Sequence, residues 1–123
     1  EAGFFRVVMI HHPPYKEGFN PRVGLWGGDR FRKAVAKHGA ELVLHGHTHR
    51  SGVHAIAGPD ADVPVIGVAA ASAAQSTHGR EDPARYNLFR IERLATGWSC
   101  TMREYGFTRL GSEIVMRLQI RIY

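Results

Sequence analysis

The chain has 123 residues, 44% of them hydrophobic and 22% charged, proportions that bound it to one globular domain with a modest core. No apolar run approaches the ~18 residues that span a bilayer and residues 1–5 lack the features of a secretory leader, so no membrane partner is expected. The lone Cys100 excludes an internal disulfide and a Cys-based zinc module and suits a cytoplasmic setting, while a formal charge of +5 suits phosphate-bearing partners.

Phe4-Phe5-Arg6-Val7-Val8-Met9-Ile10 is a nearly continuous, β-branched apolar run, which reads as a buried strand. It is cut off by His11-His12-Pro13-Pro14. Residues 15–28 are rich in Gly and Pro and read as a long loop. Asp29 reads as an N-cap, Phe31, Ala34, Val35 and His38 share one face, and Gly39 follows, so a helix is predicted over about 30–38. Glu41-Leu42-Val43-Leu44 is a second short strand, and it too ends in histidines, His45-Gly46-His47-Thr48-His49. Parallel strands joined through a helix place their C-terminal ends at one sheet edge, so both histidine clusters are expected to meet there.

The second half reads differently, with strands over 52–57, 63–70, 86–94, 98–105 and 113–123 separated by turns at Pro59-Asp60 and Thr96-Gly97. In the last strand Ile114, Met116, Leu118, Ile120 and Ile122 alternate with other residues, the pattern of a half-buried antiparallel strand. That stripe, Phe89 and Trp98 are assigned to the core. Residues 71–83 read as a second long loop, small and polar. The fold class is therefore α/β, β-rich, with one main helix.

Eight histidines is an excess, and five of them lie in the two strand-end clusters. Neutral imidazole is the commonest metal ligand, and Gly46 removes a side chain where the backbone is expected to pass close to something bulky.

These residues carry a family resemblance. Val7-Val8-Met9-Ile10-His11-His12-Pro13-Pro14 followed by Leu42-Val43-Leu44-His45-Gly46-His47-Thr48-His49-Arg50 resembles the last two motifs of the calcineurin-like metallophosphoesterases, in the bacterial branch of cyclic-nucleotide and glycerophosphodiester phosphodiesterases. The family pattern runs Asp-x-His, Gly-Asp-x-x-Asp, Gly-Asn-His-Asp/Glu, then a His ending an apolar strand, then Gly-His-x-His. The first three motifs are absent; Gly28-Asp29 lies out of order, and Asp60 and Asp62 fall in a turn.

The resemblance implies that residues 1–123 form the C-terminal portion of one αββα sandwich domain whose N-terminal half is absent. It implies that the parent is an enzyme, a divalent-metal-dependent phosphoesterase that hydrolyses phosphomono- or phosphodiesters by a metal-bridged hydroxide. Two divalent ions of Fe, Mn or Zn type would serve the complete protein. His11 and His47 would bind one ion and His49 the other. His12, His45, Arg50 and His78 are candidates for the surroundings of the ions or for substrate contact. Without carboxylate ligands the fragment alone is expected to bind metal weakly or not at all and to hydrolyse nothing at a useful rate. The expected partners are a phosphate-ester substrate, the missing half of its own chain and, through the apolar surface left exposed, a second copy. The competing reading is a basic β-rich nucleic-acid-binding or structural module without catalysis; the basic residues form no run and match no RNA module, so nucleic acid is not the expected partner.

Overall fold

A computed structural model describes residues 3–15, 24–72, 83–108 and 112–123. The chain divides into two compact units, Glu1–Gly67 and Val68–Tyr123. The fold is mixed α/β, β-rich, with one helix. Among the described residues no helix is long and apolar enough to cross a membrane.

The first unit holds β1 (Val7–Ile10), α1 (Gly28–His38), β2 (Leu42–His45), β3 (Gly52–Ile56) and β4 (Val63–Gly67). Its four-stranded sheet has the order β1-β2-β4-β3. β1 and β4 both run parallel to β2, and β3 returns antiparallel to β4. Leu42, Val43, Val65 and Ile66 lie in the two central strands and are at most 1% exposed, as befits strands covered on both faces. The core joins Val35, Ala40, Val43, Ile56, Val63 and Val65, with Val8, Ile10, Tyr15 and Phe31 packed against it.

The strand order corrects the reading of β1 as buried. Among the described residues β1 has one neighbour, β2, so Val8 and Ile10 face the core while Val7 and Met9 are 41% and 79% exposed. A continuous apolar run does not distinguish an edge strand from a central one. The helix also starts earlier than its sequence suggests. Its N-cap is Gly27, in the left-handed region at φ 76°, and makes no side-chain cap; Asp29 sits in the first turn, where it favours the helix dipole, and pairs with Arg32. The buried face runs through Gly28 and Val35 with Phe31 beside them, leaving Ala34 and His38 exposed. Gly39 ends the helix at φ 73°, donating its N–H to the Val35 carbonyl at 2.8 Å.

At the N-terminal ends of β1 and β2, Arg6 fixes the register. Its Nε and Nη2 donate to the two oxygens of Glu41 at 2.9 and 2.8 Å, its backbone N–H to the same carboxylate at 2.6 Å, and its Nη1 to the His38 carbonyl at 2.7 Å. This grip holds the Glu41 carboxyl below the ordinary glutamate range.

The second unit is an antiparallel sheet in the order β5-β6-β7, formed by β5 (Arg85–Leu94), β6 (Gly97–Phe107) and β7 (Ile114–Arg121). Leu94 pairs with Gly97 across a two-residue turn, and Gly97 takes φ 130°, a backbone region open chiefly to glycine. Cys100 and Met102 on β6 are buried, as is Glu104, whose carboxylate lies 3.6 Å from Arg85 Nε. The core assignment of the β7 stripe does not hold. A bulge between Glu104 and Tyr105 makes Leu118 oppose Glu104 but Met116 oppose Tyr105, so the even-numbered residues change face midway. Ile114, Met116 and Leu118 are 54%, 52% and 42% exposed. Phe89 and Trp98 are only partly buried, and Arg93 lies over the Trp98 ring at 5.8 Å.

Candidate metal centre

The parallel pairing of β1 with β2 ends at Ile10 opposite His45, and the Gly46 N–H continues it by donating to the His11 carbonyl at 3.1 Å. Both chains therefore leave the sheet side by side at its C-terminal edge. His11, His12 and His47 come together there, each offering a ring nitrogen within 4.8 Å of the others. His47 Nδ1 and His11 Nε2 are 3.1 Å apart. The His12 ring lies 4.9 Å from His11 and 4.2 Å from His47, centroid to centroid.

The backbone is bent to achieve this. The Thr48 N–H donates to the Gly46 carbonyl at 2.8 Å, closing a γ-turn whose central residue, His47, has φ 66°. That is the rarer and more strained of the two γ-turns. His49 follows at φ 52°. His47 and His49 are the two non-glycine residues with positive φ among those described, and each such residue costs about 1 kcal/mol or more relative to relaxed backbone. Strain confined to one loop rich in ligating side chains is where functional constraint is expected.

Burial and the neighbouring imidazoles of His12, His11 and His49 depress the His47 pKa, in that order of importance. His47 therefore stays neutral to lower pH than an isolated histidine, which preserves its lone pair. Two imidazole nitrogens sharing a tetrahedral zinc at 2.0–2.1 Å lie about 3.3 Å apart, so the 3.1 Å pair is near the spacing one ion requires. The donor set is three imidazoles with no carboxylate, which fits a borderline cation of the Zn, Cu, Ni or Fe type better than Mg or Ca.

Of the other sequence candidates, the structure brings one into this group and leaves the described remainder outside it. His12, which the resemblance leaves out of the ligand set, lies inside it. His49, which the resemblance gives to a second ion, is exposed and outside it, as is Arg50. His45 is buried at 4% exposure, with Nδ1 3.0 Å from the Gly46 carbonyl. Desolvation lowers its pKa and so favours the neutral ring; Nδ1 faces a carbonyl, which can only accept, so Nδ1 is the donor, and the buried Nε2 has no hydrogen-bond partner. His54 stacks on Tyr15 at 4.0 Å on edge strand β3, and Tyr15 also packs on the core, whereas Trp26 is fully exposed. His78 lies outside the described residues.

Within the chain, a Cβ at Gly46 would meet nothing within 4 Å. The glycine that makes room is Gly67 at the end of β4, paired with His45. A Cβ on Gly67 would stand 2.7 and 2.8 Å from His45 Cε1 and Nε2. The signal in the sequence was a glycine closing the apolar run Pro64-Val65-Ile66, a common mark of close approach.

Compared with known proteins, the chain matches no protein-family profile and no curated protein. A crystal structure described as wild-type Vps29 complexed with zinc, from Entamoeba histolytica, is similar over 82% of this chain and 49% of its own, at 14% identity and a TM-score of 0.49. The chain thus spans about half the length of that protein, and no residue role is taken from it.

Proposed function

We propose that this chain supplies the histidine edge of a divalent-metal-dependent phosphoesterase, with His11, His12 and His47 holding one ion and His49 turned toward a second. The observation that supports this reading is the three-imidazole group at the C-terminal ends of two parallel strands, held by a strained turn. Such an ion, when bound, supplies positive charge against a phosphoryl oxygen and acidifies water. The chain's own residues would hold the ion through their ring nitrogens, and the adjacent Arg50 carries a charge suited to phosphate. The anionic ligands that a two-ion phosphoesterase needs are not in this histidine group, so the 123-residue chain alone binds metal but does not turn over ester.

Competition of the purified chain with a chromophoric chelator for Zn²⁺ tests the reading. About one equivalent bound by the wild type, and loss of that binding in His47→Ala, supports it; equal binding by both defeats it. Hydrolysis of p-nitrophenyl phosphate or its bis ester, abolished by His47→Ala, would show that the isolated chain is active after all.

A second reading has its own observation. On one face of the β5-β6-β7 sheet, Tyr86 stacks on Tyr105 at 5.2 Å, and the register places Arg90, Arg103 and Arg121 on that same face. Aromatic rings among arginines suit single-stranded nucleic acid. Salt-dependent oligonucleotide binding lost in Arg103→Glu and indifferent to His47→Ala would favour it.

A further inference from the structure

We infer that His45 is a positioning residue: its Nδ1–H holds the Gly46 carbonyl in the orientation that turns His47 toward His11 and His12. The inference rests on the metal-binding reading above and adds to it a residue outside the ligand group. The Gly46 carbonyl accepts from two donors, His45 Nδ1 at 3.0 Å and the Thr48 N–H at 2.8 Å. The plane of the Gly46–His47 peptide is shared by Gly46 ψ and His47 φ, so whatever fixes that carbonyl also fixes the φ of 66° at His47. Without the side-chain donor only the Thr48 N–H, which belongs to the turn itself, still holds the carbonyl, and a rotation of the peptide that breaks it carries His47 to the ordinary negative φ and its ring away from the group. Glycine at 46 eases such a rotation, since no Cβ resists it, and this makes the second grip necessary.

The ring is itself held. It is buried at the end of a central strand, and it lies across Gly67 in a space that a Cβ would occupy. Tyr15 closes on it edge-on at 5.5 Å. A rotamer confined in this way keeps one ring nitrogen on the carbonyl, as outlying hydrogen bonds do for the ligands of well-ordered metal sites.

The test compares three chains by Zn²⁺ competition and by amide exchange of Thr48 in metal-free protein, with circular dichroism to confirm folding. His45→Phe keeps a ring and removes the donor; His45→Asn keeps a donor at the same distance from the backbone. Expected are a loss of Zn²⁺ affinity of about tenfold or more in His45→Phe with faster Thr48 exchange, and near wild-type values of both in His45→Asn. Wild-type affinity and exchange in His45→Phe overturn the inference. Equal losses of affinity in the two variants with unchanged Thr48 exchange also overturn it, since that result marks a merely structural role. If the wild type binds no Zn²⁺, the metal reading fails by itself, and the exchange measurement still decides whether His45 holds the turn. Should His45→Phe not fold, Gly67→Ala, which crowds the ring without removing it, is expected to change both readouts in the same direction, and no change overturns the inference.

Discussion

The two units treat positive backbone φ in opposite ways. In the second unit the residue that needs it, at the β5–β6 turn, is Gly97, which adopts it without steric cost. In the first unit glycines serve the helix ends in the same way, but the loop after β2 gives positive φ to His47 and His49 while the neighbouring Gly46 has none. Local stability alone would place the glycines differently. The loop after β2 is therefore shaped by what its side chains reach, the β5–β6 turn by what its backbone must do. The strand patterns agree. Parallel β1 and β2 deliver two chain segments to one edge, whereas antiparallel neighbours in the second unit leave from opposite ends.

Removing the ligands should change the loop after β2 most. His11→Ala, His12→Ala and His47→Ala are each expected to weaken Zn²⁺ binding at least about a hundredfold in a chelator competition. His12→Ala set beside His49→Ala separates the two ligand sets, since only the geometric group requires His12 for the first ion.

Next come the cores. Val43→Ala in the first unit and Met102→Ala in the second, at 0% and 2% exposure, are each expected to cost roughly 2–4 kcal/mol in urea unfolding. Met102→Ala should leave Zn²⁺ affinity within about threefold once folded. A large loss there would show that the second unit contributes to the site.

Acidification should sharpen the contrast. The folded pKa values of His45 and His47 are depressed, so the unfolded chain takes up protons first as pH falls. Their contribution is fully present above the ordinary histidine value of about 6.5 and is lost below it. Glu41, also depressed, adds a second loss of the same sign at more acid pH, as its folded carboxyl protonates and releases Arg6. Urea midpoints between pH 8 and 5 should fall, and the fall should shrink in His45→Asn.

The smallest effects concern the turns. His49→Gly is expected to stabilise by about 0.5–1 kcal/mol by relieving its positive φ, and Gly97→Ala to destabilise by about 1 kcal/mol or more. Opposite signs in thermal unfolding would confirm the comparison residue by residue.

Much of this was legible beforehand. The alternation of strand, loop, helix and strand, with histidines after each apolar run, was enough to bring His11 and His47 to one edge. Three features were not. The edge position of β1 depends on which strands are its neighbours, which a run of apolar residues does not encode. The inclusion of His12 depends on how the chain turns after His11; Pro13 restricts His12 to extended backbone but does not set which way its ring faces. The role of Gly67 depends on a register with His45 across strands far apart in sequence. The family pattern gives His49 to a second ion and leaves His12 outside the ligand set, whereas the structure brings His12 beside His11 and His47: a motif records residue types and spacing, and the turn at His47 decides which rings face one another.

The bulge in β7 carries a consequence of its own. A strand is a parity code in which odd and even positions are addressed to opposite surfaces, and one extra residue inverts the code for all that follows. By inverting it near Arg117, β7 sends Leu118 and Ile120 to the side of Met102 and Glu104, and Ile114 and Met116 to the side of Tyr105 and Phe107. An uninterrupted alternating sequence thus addresses apolar groups to both surfaces of one sheet, and the phase is set by a single residue that pairs with nothing across the ladder.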